Sequence, residues 1–231
     1  PPPPPTPPRH GVRRQRQMCI RDRYYITLYN ENYVMPELPA EHADEFEQGA
    51  VRGMYRFADA PDGPSKRATI LFSGVAHAAA RAAVDELATH YDVGAELWSV
   101  TNYKKLREEA LAVERRNRLH PTDRPDTPLV TELLGSSQGP INAVSDFMKI
   151  VPEQVARFVP DGRPFEVLGT DGMGRSDTRE ALRSFFEIDM GHVVVSVLTG
   201  LMRAGEVDGA MVADAIKRYE IDADKPDPFV V

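Results

Sequence analysis

The amino-acid sequence predicts an α/β protein: a three-layer sandwich around a mostly parallel sheet of about five strands. Strand-like and helix-like segments alternate from about residue 66 onward. The strand-like runs, such as ATILFS at 68–73, are apolar without a two-residue period, which is typical of strands covered on both faces. With 231 residues, of which 42% are hydrophobic and 27% charged, the chain has an ordinary globular composition and can bury a sizeable core.

The predicted elements follow in a regular order. A strand is predicted over 24–29, a short acidic helix over 40–51 and a short strand over 53–58. The apolar strands of the body are predicted at 68–73, 93–100, 141–146 and 165–169. The helices, whose apolar residues recur at helical spacing, are predicted at 74–90, 103–118, 149–158, 178–186, 191–203 and 209–219. We expect one strand to run antiparallel, the proline-rich segment at 120–128 to form a surface loop, and the tail at 222–231 to be extended.

Two helix starts carry capping signals. Thr101 and Asn102 precede the charged helix at 103–118, where either side chain suits a helix cap. Asp177 and Glu180 have the spacing of a capping box at the start of the helix at 178–186.

The net charge of −7 is unevenly distributed. Residues 1–23 contain six arginines and one acidic residue, so they contribute +5 and the remainder carries −12. A basic arm on an acidic body is typical of a nucleic-acid-binding tail. However, residues 1–8 are nearly all proline, and RRQRQMCIRDR at 13–23 resembles a translated sequencing adaptor. We therefore interpret residues 1–23 as an artefactual or disordered segment, and we expect no nucleic-acid partner.

Several classes of protein do not fit this sequence. No apolar run approaches the roughly 20 residues that a membrane span needs, and the amino terminus lacks the apolar segment of a signal peptide. The single cysteine, Cys19, cannot form an internal disulfide. We expect a cytoplasmic protein without a membrane partner. The sequence contains neither a zinc-type HExxH motif nor a Gly-x-Ser-x-Gly nucleophile motif.

The segment VLGTDGMGRSDTRE at 167–180 is the strongest site candidate. It places three glycines directly after a predicted strand, where ligands and partners gather in α/β sheets. No Gly-Lys-Ser/Thr follows, and the glycines lack dinucleotide-binding spacing, so neither phosphate-binding motif fits. We predict a shaped turn or a subunit interface in which Asp171, Arg175 and Asp177 form ion pairs. Direct contact with a ligand is the alternative.

His77 is a second candidate. It follows the predicted strand at 68–73, so it is placed where an α/β sheet forms its cleft. The alternative is a histidine at the start of a helix that faces solvent or a neighbouring subunit.

Four stretches carry a family resemblance. Residues 24–39, 93–121, 167–189 and 211–228 resemble, in order and spacing, the carboxyl-terminal part of the homodimeric bacterial pyruvate dehydrogenases. Those enzymes are the thiamine-diphosphate-dependent decarboxylating component of the pyruvate dehydrogenase complex. The resemblance covers about nine-tenths of the chain and excludes residues 1–23. It implies that residues 24–65 are the end of a pyrimidine-binding domain plus a linker, and that residues 66–231 are a transketolase-type C-terminal domain.

The resemblance also implies a function for the parent protein. The parent would oxidatively decarboxylate pyruvate and acetylate the lipoyl group of its partner, the dihydrolipoamide acetyltransferase. It would act as a homodimer with thiamine diphosphate and magnesium. No catalytic, cofactor-binding or metal residue of the family matches a position here, so we expect neither cofactor on this chain. Asn30, Glu31, Asn32 and Tyr33 are candidates for packing near the active site of the parent.

Two other functions remain open. The chain by itself would serve as a non-catalytic dimerisation or docking module. A different transketolase-like enzyme acting on sugar phosphates is the third possibility, and it would require basic phosphate-binding residues at the strand ends.

Overall fold

The sheet has five strands in the spatial order β1-β3-β2-β4-β5. The computed structural model describes residues 43–160 and 162–230, so the strand predicted at 24–29 and the candidates Asn30, Glu31, Asn32 and Tyr33 lie outside the described residues. The strands are β1 (Met54–Ala58), β2 (Lys66–Phe72), β3 (Val93–Val100), β4 (Ile141–Val144) and β5 (Phe165–Leu168). Strands β2 to β5 are parallel, and β1 pairs antiparallel with β3 at one edge. The predicted mostly parallel sheet with one antiparallel strand is confirmed.

Helices cover both faces of the sheet. They are α1 (Ala43–Arg52), α2 (His77–His90), α3 (Tyr103–Leu119), α4 (Leu129–Leu134), α5 (Ile150–Glu153), α6 (Arg179–Phe185), α7 (Met190–Arg203) and α8 (Gly209–Arg218). Short 3₁₀ turns occupy Gly74–Ala76, Ala156–Phe158 and Pro228–Val230. Buried residues of α2, α7 and α8 form one core cluster with the sheet, and those of α3 and α4 form a second. The three-layer α/β fold predicted from the sequence is confirmed.

The two cores explain the unbroken apolar strands. Along β2, Ile70 and Phe72 belong to the core under α2 and α7, whereas Leu71 belongs to the core under α3. On β3, Leu97 belongs to the core under α2 and α7, and Trp98 belongs to the core under α3. Because successive side chains of a strand point to opposite faces, a sheet covered on both sides needs apolar residues at every position.

A polar network crosses the buried part of the sheet. Arg163, which lies before β5, donates hydrogen bonds to the Oγ1 atom of Thr69 at 2.8 Å and to the backbone oxygens of Leu134, Gln138 and Gly139. Burial lowers the pKa of the Arg163 guanidinium, and the charge of nearby Glu96 opposes that shift. The guanidinium remains charged at neutral pH because an arginine side chain does not deprotonate in a protein near that pH. It therefore ties β2, β5 and the segment before β4 together.

Some local predictions differ from the structure. The single helix predicted over 149–158 is the four-residue α5 followed by a 3₁₀ turn. Pro152 has no N–H group, and the following Val155 and Phe158 amides bond three residues back, as in a 3₁₀ helix. Helix α4 was not predicted, because six residues, LVTELL, are too few to show a helical period.

The cap predictions have mixed outcomes. Asn102 caps α3, and its side chain accepts a hydrogen bond from the Lys105 amide at 2.9 Å, as predicted. The capping box predicted from Asp177 and Glu180 is wrong in register. The cap of α6 is Thr178, whose hydroxyl accepts the Ala181 amide at 3.2 Å.

One described stretch, Arg179–Arg203, is long and apolar enough to cross a membrane by length and composition alone. It consists of two helices, α6 and α7, separated by residues 186–189. Val193, Val194, Val197 and Leu198 of α7 are buried in the core under the sheet. The apolar character of this stretch is therefore explained by core packing.

Candidate functional site

The strand order reverses between β2 and β4, where α/β sheets usually open a ligand crevice at the carboxyl ends of the strands. In this chain a buried hydrogen bond links the ends of these two strands. The Ser73 hydroxyl donates to the Ser145 hydroxyl at 2.8 Å, and both side chains are buried. The Phe147 amide donates to the same Ser145 oxygen at 3.0 Å. The pair therefore holds the ends of β2 and β4 together.

The segment that follows β5 is hydrogen-bonded to the segment that follows β4. The Thr170 amide donates to the backbone oxygen of Phe147 at 2.9 Å, and its hydroxyl donates to the backbone oxygen of Asp146 at 2.8 Å. A Cβ atom on Gly169 would lie only 2.6 Å from the Phe147 oxygen. Glycine is therefore required at 169 by the close approach of two backbones.

Asp171 adds a further contact between the same two segments. One carboxylate oxygen accepts a hydrogen bond from the Lys149 amide at 3.2 Å, and the other lies 4.0 Å from the Lys149 Nζ atom. The Asp171 side chain is only 17% exposed. Asp171 therefore joins the loop after β5 to Lys149 through a backbone hydrogen bond and a long ion pair.

Gly172 brings the carboxyl-terminal tail against the loop. Its φ of 109° lies in the left-handed region, and a Cβ atom built there would overlap the backbone oxygen of Pro228. The tail itself forms a 3₁₀ turn at Pro228–Val230, in which the Asp227 carboxylate accepts the Phe229 amide at 2.9 Å. The extended tail predicted from the sequence is therefore wrong at these residues. The turn bonds its own backbone while it packs on Gly172.

Arg175 and the tail also meet at an aromatic ring. The guanidinium carbon of Arg175 lies 4.1 Å from the ring centroid of Phe185, and the Lys225 ammonium lies 5.8 Å from the same centroid. Lys225 donates to the backbone oxygens of Ser184 and Phe185, both at 3.1 Å, so it caps the end of α6. These contacts join the loop, α6 and the tail through cation–π attraction and capping.

The remaining candidates have modest local roles. Asp177 accepts the Thr178 amide at 2.7 Å and thereby orders the start of α6. His77 is half-buried at the start of α2, directly after β2. Because β4 lies between β2 and β5, the structure does not bring His77 together with Asp171, Arg175 and Asp177.

The sequence reasoning missed an apolar surface around this loop. We call it the edge patch, and it consists of Phe147, Met148, Ile150, Met173, Phe229 and Val230. All six side chains are exposed, Met173 by 76%. The signal was available in the sequence as Phe-Met-Lys-Ile at 147–150, directly after the strand predicted at 141–146. Only Lys149 and Ile150 of this stretch were assigned, to the helix predicted at 149–158.

The donor set at this edge does not suit a metal ion. Among the described residues, no group of three or more histidine, cysteine, aspartate or glutamate side chains could hold a metal. The carboxylate of Asp171 is already engaged by Lys149. What the described residues provide at this edge is a largely apolar surface.

This chain is similar in sequence to several known proteins. The family described as "Transketolase-like TK C-terminal domain" matches residues 53–189, from the start of β1 to the cap of α7. The chain is 41% identical over 206 residues to the "Pyruvate dehydrogenase E1 component" of Pseudomonas aeruginosa, covering 89% of this chain and 23% of that protein. It is 44% identical over 199 residues to the protein of the same name from Mycolicibacterium smegmatis, covering 86% of this chain and 21% of that protein.

Among solved structures, a transketolase from Leishmania mexicana aligns with a TM-score of 0.44 at 18% identity, covering 68% of this chain and 19% of the other. The chain spans less than a quarter of the length of the two pyruvate dehydrogenase components and corresponds to their C-terminal region. The sheet, its helices and the family match agree, and the chain belongs to the transketolase-like C-terminal domain family.

Proposed function

We propose that this chain is the carboxyl-terminal part of a pyruvate dehydrogenase, acetyl-transferring. The parent protein oxidatively decarboxylates pyruvate and acetylates the lipoyl group of the dihydrolipoamide acetyltransferase. The observation that supports this most strongly is identity of 41–44% over 86–89% of the chain with bacterial pyruvate dehydrogenase components. Such identity over nearly two hundred residues far exceeds what a shared fold alone would produce.

The cofactors of that reaction belong to the parent rather than to this chain. Thiamine diphosphate supplies the carbanion chemistry of such enzymes when it is bound. Its diphosphate is held through a metal, and the described residues include no group of three or more histidine, cysteine, aspartate or glutamate side chains that could hold one. These residues do not fit thiamine diphosphate and magnesium, so the parent's other domains would bind both.

For the chain by itself we propose a role in dimerisation and architecture. The parent would be a cytoplasmic homodimer that also meets the lipoyl-bearing acetyltransferase. Residues 66–231 would be its transketolase-type C-terminal domain, and residues 24–65 the end of its pyrimidine-binding domain plus a linker, with β1 completing the sheet. Asn30, Glu31, Asn32 and Tyr33 would pack near the active site. His77, Asp171, Arg175 and Asp177 would order the cleft or interface edge.

A transketolase-like enzyme acting on sugar phosphates is less well supported. That activity requires cations placed to hold a phosphate at the carboxyl ends of the strands. After β4, the Lys149 Nζ atom lies 4.0 Å from the Asp171 carboxylate. The guanidinium of Arg175 is stacked on Phe185. Both cations therefore already have partners within the chain.

Titration calorimetry tests whether this chain by itself binds the cofactor of its parent. Titrating the chain with thiamine diphosphate in the presence of magnesium is expected to give no binding heat, and pyruvate is expected to remain unconsumed. Magnesium-dependent binding in the micromolar range would contradict the proposal. Expression of the gene together with its upstream reading frame should then give pyruvate-dependent acetylation of lipoamide. A full-length protein that instead transfers a ketol unit between sugar phosphates would support the alternative.

A further inference from the structure

The outward side of helix α3 carries a row of arginines. Four residues recur at intervals of four, four and three, so they share one side of the helix: Arg107, Leu111, Arg115 and Arg118. The opposite side is buried in the core through Tyr103, Leu106 and Ala110. We call Arg107, Arg115 and Arg118 the arginine face. All three side chains are exposed, and none has an ion pair or hydrogen bond in the described part of the chain.

The acidic residues of α3 do not neutralise the arginine face. The Glu108 carboxylate lies 3.4 Å from the Nζ atom of Lys104. Glu109 accepts the first backbone amide of α4 at 3.0 Å, and Glu114 pairs with Arg157. The helix contains six cationic and three acidic side chains, a net charge of +3 in a chain whose net charge is −7. The arginine face is therefore a cationic surface on an acidic protein.

The proline-rich loop after α3 is held on the last turns of this helix. The Asn117 side chain donates to the backbone oxygen of Asp126 at 2.8 Å and accepts the amide of the same residue at 2.9 Å. The Arg116 guanidinium lies 3.4 Å from the Asp123 carboxylate and 3.1 Å from the Asp126 carboxylate. Arg116 and the loop line an open recess, where the exposed side chain of Arg124 has no ion pair with a described residue. The loop therefore adds a fourth unpaired guanidinium on a well-bonded backbone.

The chemistry of this surface identifies the partner. Guanidinium groups form bidentate hydrogen bonds with carboxylates. The eleven residues from Arg107 to Arg118 span about 16 Å, which is three turns of a helix. Leu111 is half-buried and Leu119 is 52% exposed, so apolar surface lies among the cations. A phosphate backbone would leave those leucines uncovered, and the one aromatic residue of α3, Tyr103, is buried and cannot stack on a base.

We propose that the arginine face, together with Arg124, binds an acidic amphipathic helix of a partner protein. The carboxylates of that helix would pair with the arginines, and its apolar side chains would cover Leu111 and Leu119. Opposite charges of this kind speed association and select the partner. The inference depends neither on the activity proposed for the parent nor on the dimerisation role.

Fluorescence anisotropy tests the proposal with a labelled helical peptide of about 20 residues, built of alanine, leucine and glutamate with the leucines along one side. We expect the chain to bind this peptide, and the binding to weaken as salt is added, because salt screens exposed charges. Arg115→Glu or Arg118→Glu should weaken binding by roughly fivefold or more. Arg81→Glu is the matched control, since Arg81 is also exposed and unpaired among the described residues but lies on α2. It should bind like the unmodified chain.

Three further probes separate the acidic helix from other ligands. They are the same peptide with glutamine in place of glutamate, a duplex DNA of the same charge, and vesicles that contain phosphatidylserine. All three are expected to bind more weakly than the acidic peptide.

Several results would overturn the proposal. No binding of the acidic peptide at low salt would show that the surface has no such partner. Tighter binding of the DNA or the vesicles would assign the arginine face to phosphate groups, and equal binding of the glutamine peptide would show that the charges are not read. Equal weakening by Arg81→Glu would indicate a general charge effect. Circular dichroism establishes that each variant is folded, and either Arg115→Glu or Arg118→Glu suffices if the other unfolds.

Discussion

At the scale of single residues, the glycine-rich loop is determined by close backbone approaches. Gly169 and Gly172 both lie where a side chain would collide with neighbouring backbone, but only Gly172 also has a left-handed φ. Gly174 has open space around its would-be Cβ atom. The three glycines look equivalent in the sequence. They nevertheless differ in whether the surrounding structure leaves room for a side chain.

We expect Gly172→Ala to destabilise the chain by about 1–3 kcal/mol, because alanine is strained at positive φ and its methyl group would push the tail away. Gly174→Ala is the matched control and should change stability by less than about 0.5 kcal/mol. Urea unfolding followed by circular dichroism measures both. Equal effects of the two substitutions would show that the tail does not pack on Gly172.

The Arg163 guanidinium donates hydrogen bonds to several acceptors that belong to different segments of the sheet. Arg163→Lys would leave several acceptors around Thr69 and Gln138 without a donor, because an ammonium cannot reproduce the planar fork of a guanidinium. We expect a loss of about 2–3 kcal/mol in the free energy of unfolding. Arg203→Lys, which alters an ion pair with Glu166 on a side chain that is 60% exposed, should cost less than about 1 kcal/mol.

At the scale of elements, helix α7 begins at a charged cap. The Asp189 carboxylate accepts the His192 amide at 3.0 Å and lies 2.8 Å from the ring Nδ1 atom of His192. Burial alone would raise the pKa of Asp189, but the hydrogen bonds and charge of His192 hold that pKa below its usual range. Because α7 supplies much of the core under the sheet, the ionisation of this cap affects the whole fold.

The lowered pKa of Asp189 gives acid sensitivity with a definite sign. Its stabilising contribution is fully present above the ordinary aspartate pKa of 3.8 and is lost as the pH falls below that value through the folded-state pKa. Asp189→Asn keeps a capping oxygen but cannot titrate. We lower the pH from about 5 to below 3.8 and compare the two chains. The free energy of unfolding is expected to fall more for the unmodified chain than for Asp189→Asn. Asp208→Asn, at the exposed cap of α8, is the control and should follow the unmodified chain.

At the scale of the whole molecule, the chain contains an arm that we expect to be separable from the fold. Residues 1–23 resemble neither the pyruvate dehydrogenase family nor a packed element. Deleting them should leave the melting temperature unchanged. A truncated chain that melts several degrees lower would show that the arm contributes to folding, since 1 kcal/mol shifts the melting temperature of a chain of this size by about 2–4 °C.

The sequence alone determined the α/β class, the parallel sheet with its antiparallel edge, and the family resemblance. These follow from apolar strands, helical periods and long motifs, which are local properties of the chain. It missed α4 and the break in the helix at 149–158, because short segments and 3₁₀ turns lack a period of their own.

Only the tertiary structure decided the nature of the site. The Ser73–Ser145 hydrogen bond, the tail on Gly172 and the edge patch each join residues that are distant in sequence. No local pattern encodes which loops meet at the end of a sheet, because that depends on the order in which the strands assemble. The loop at 167–180 therefore identified the family from its letters, whereas its role as part of a surface emerged only from its packing.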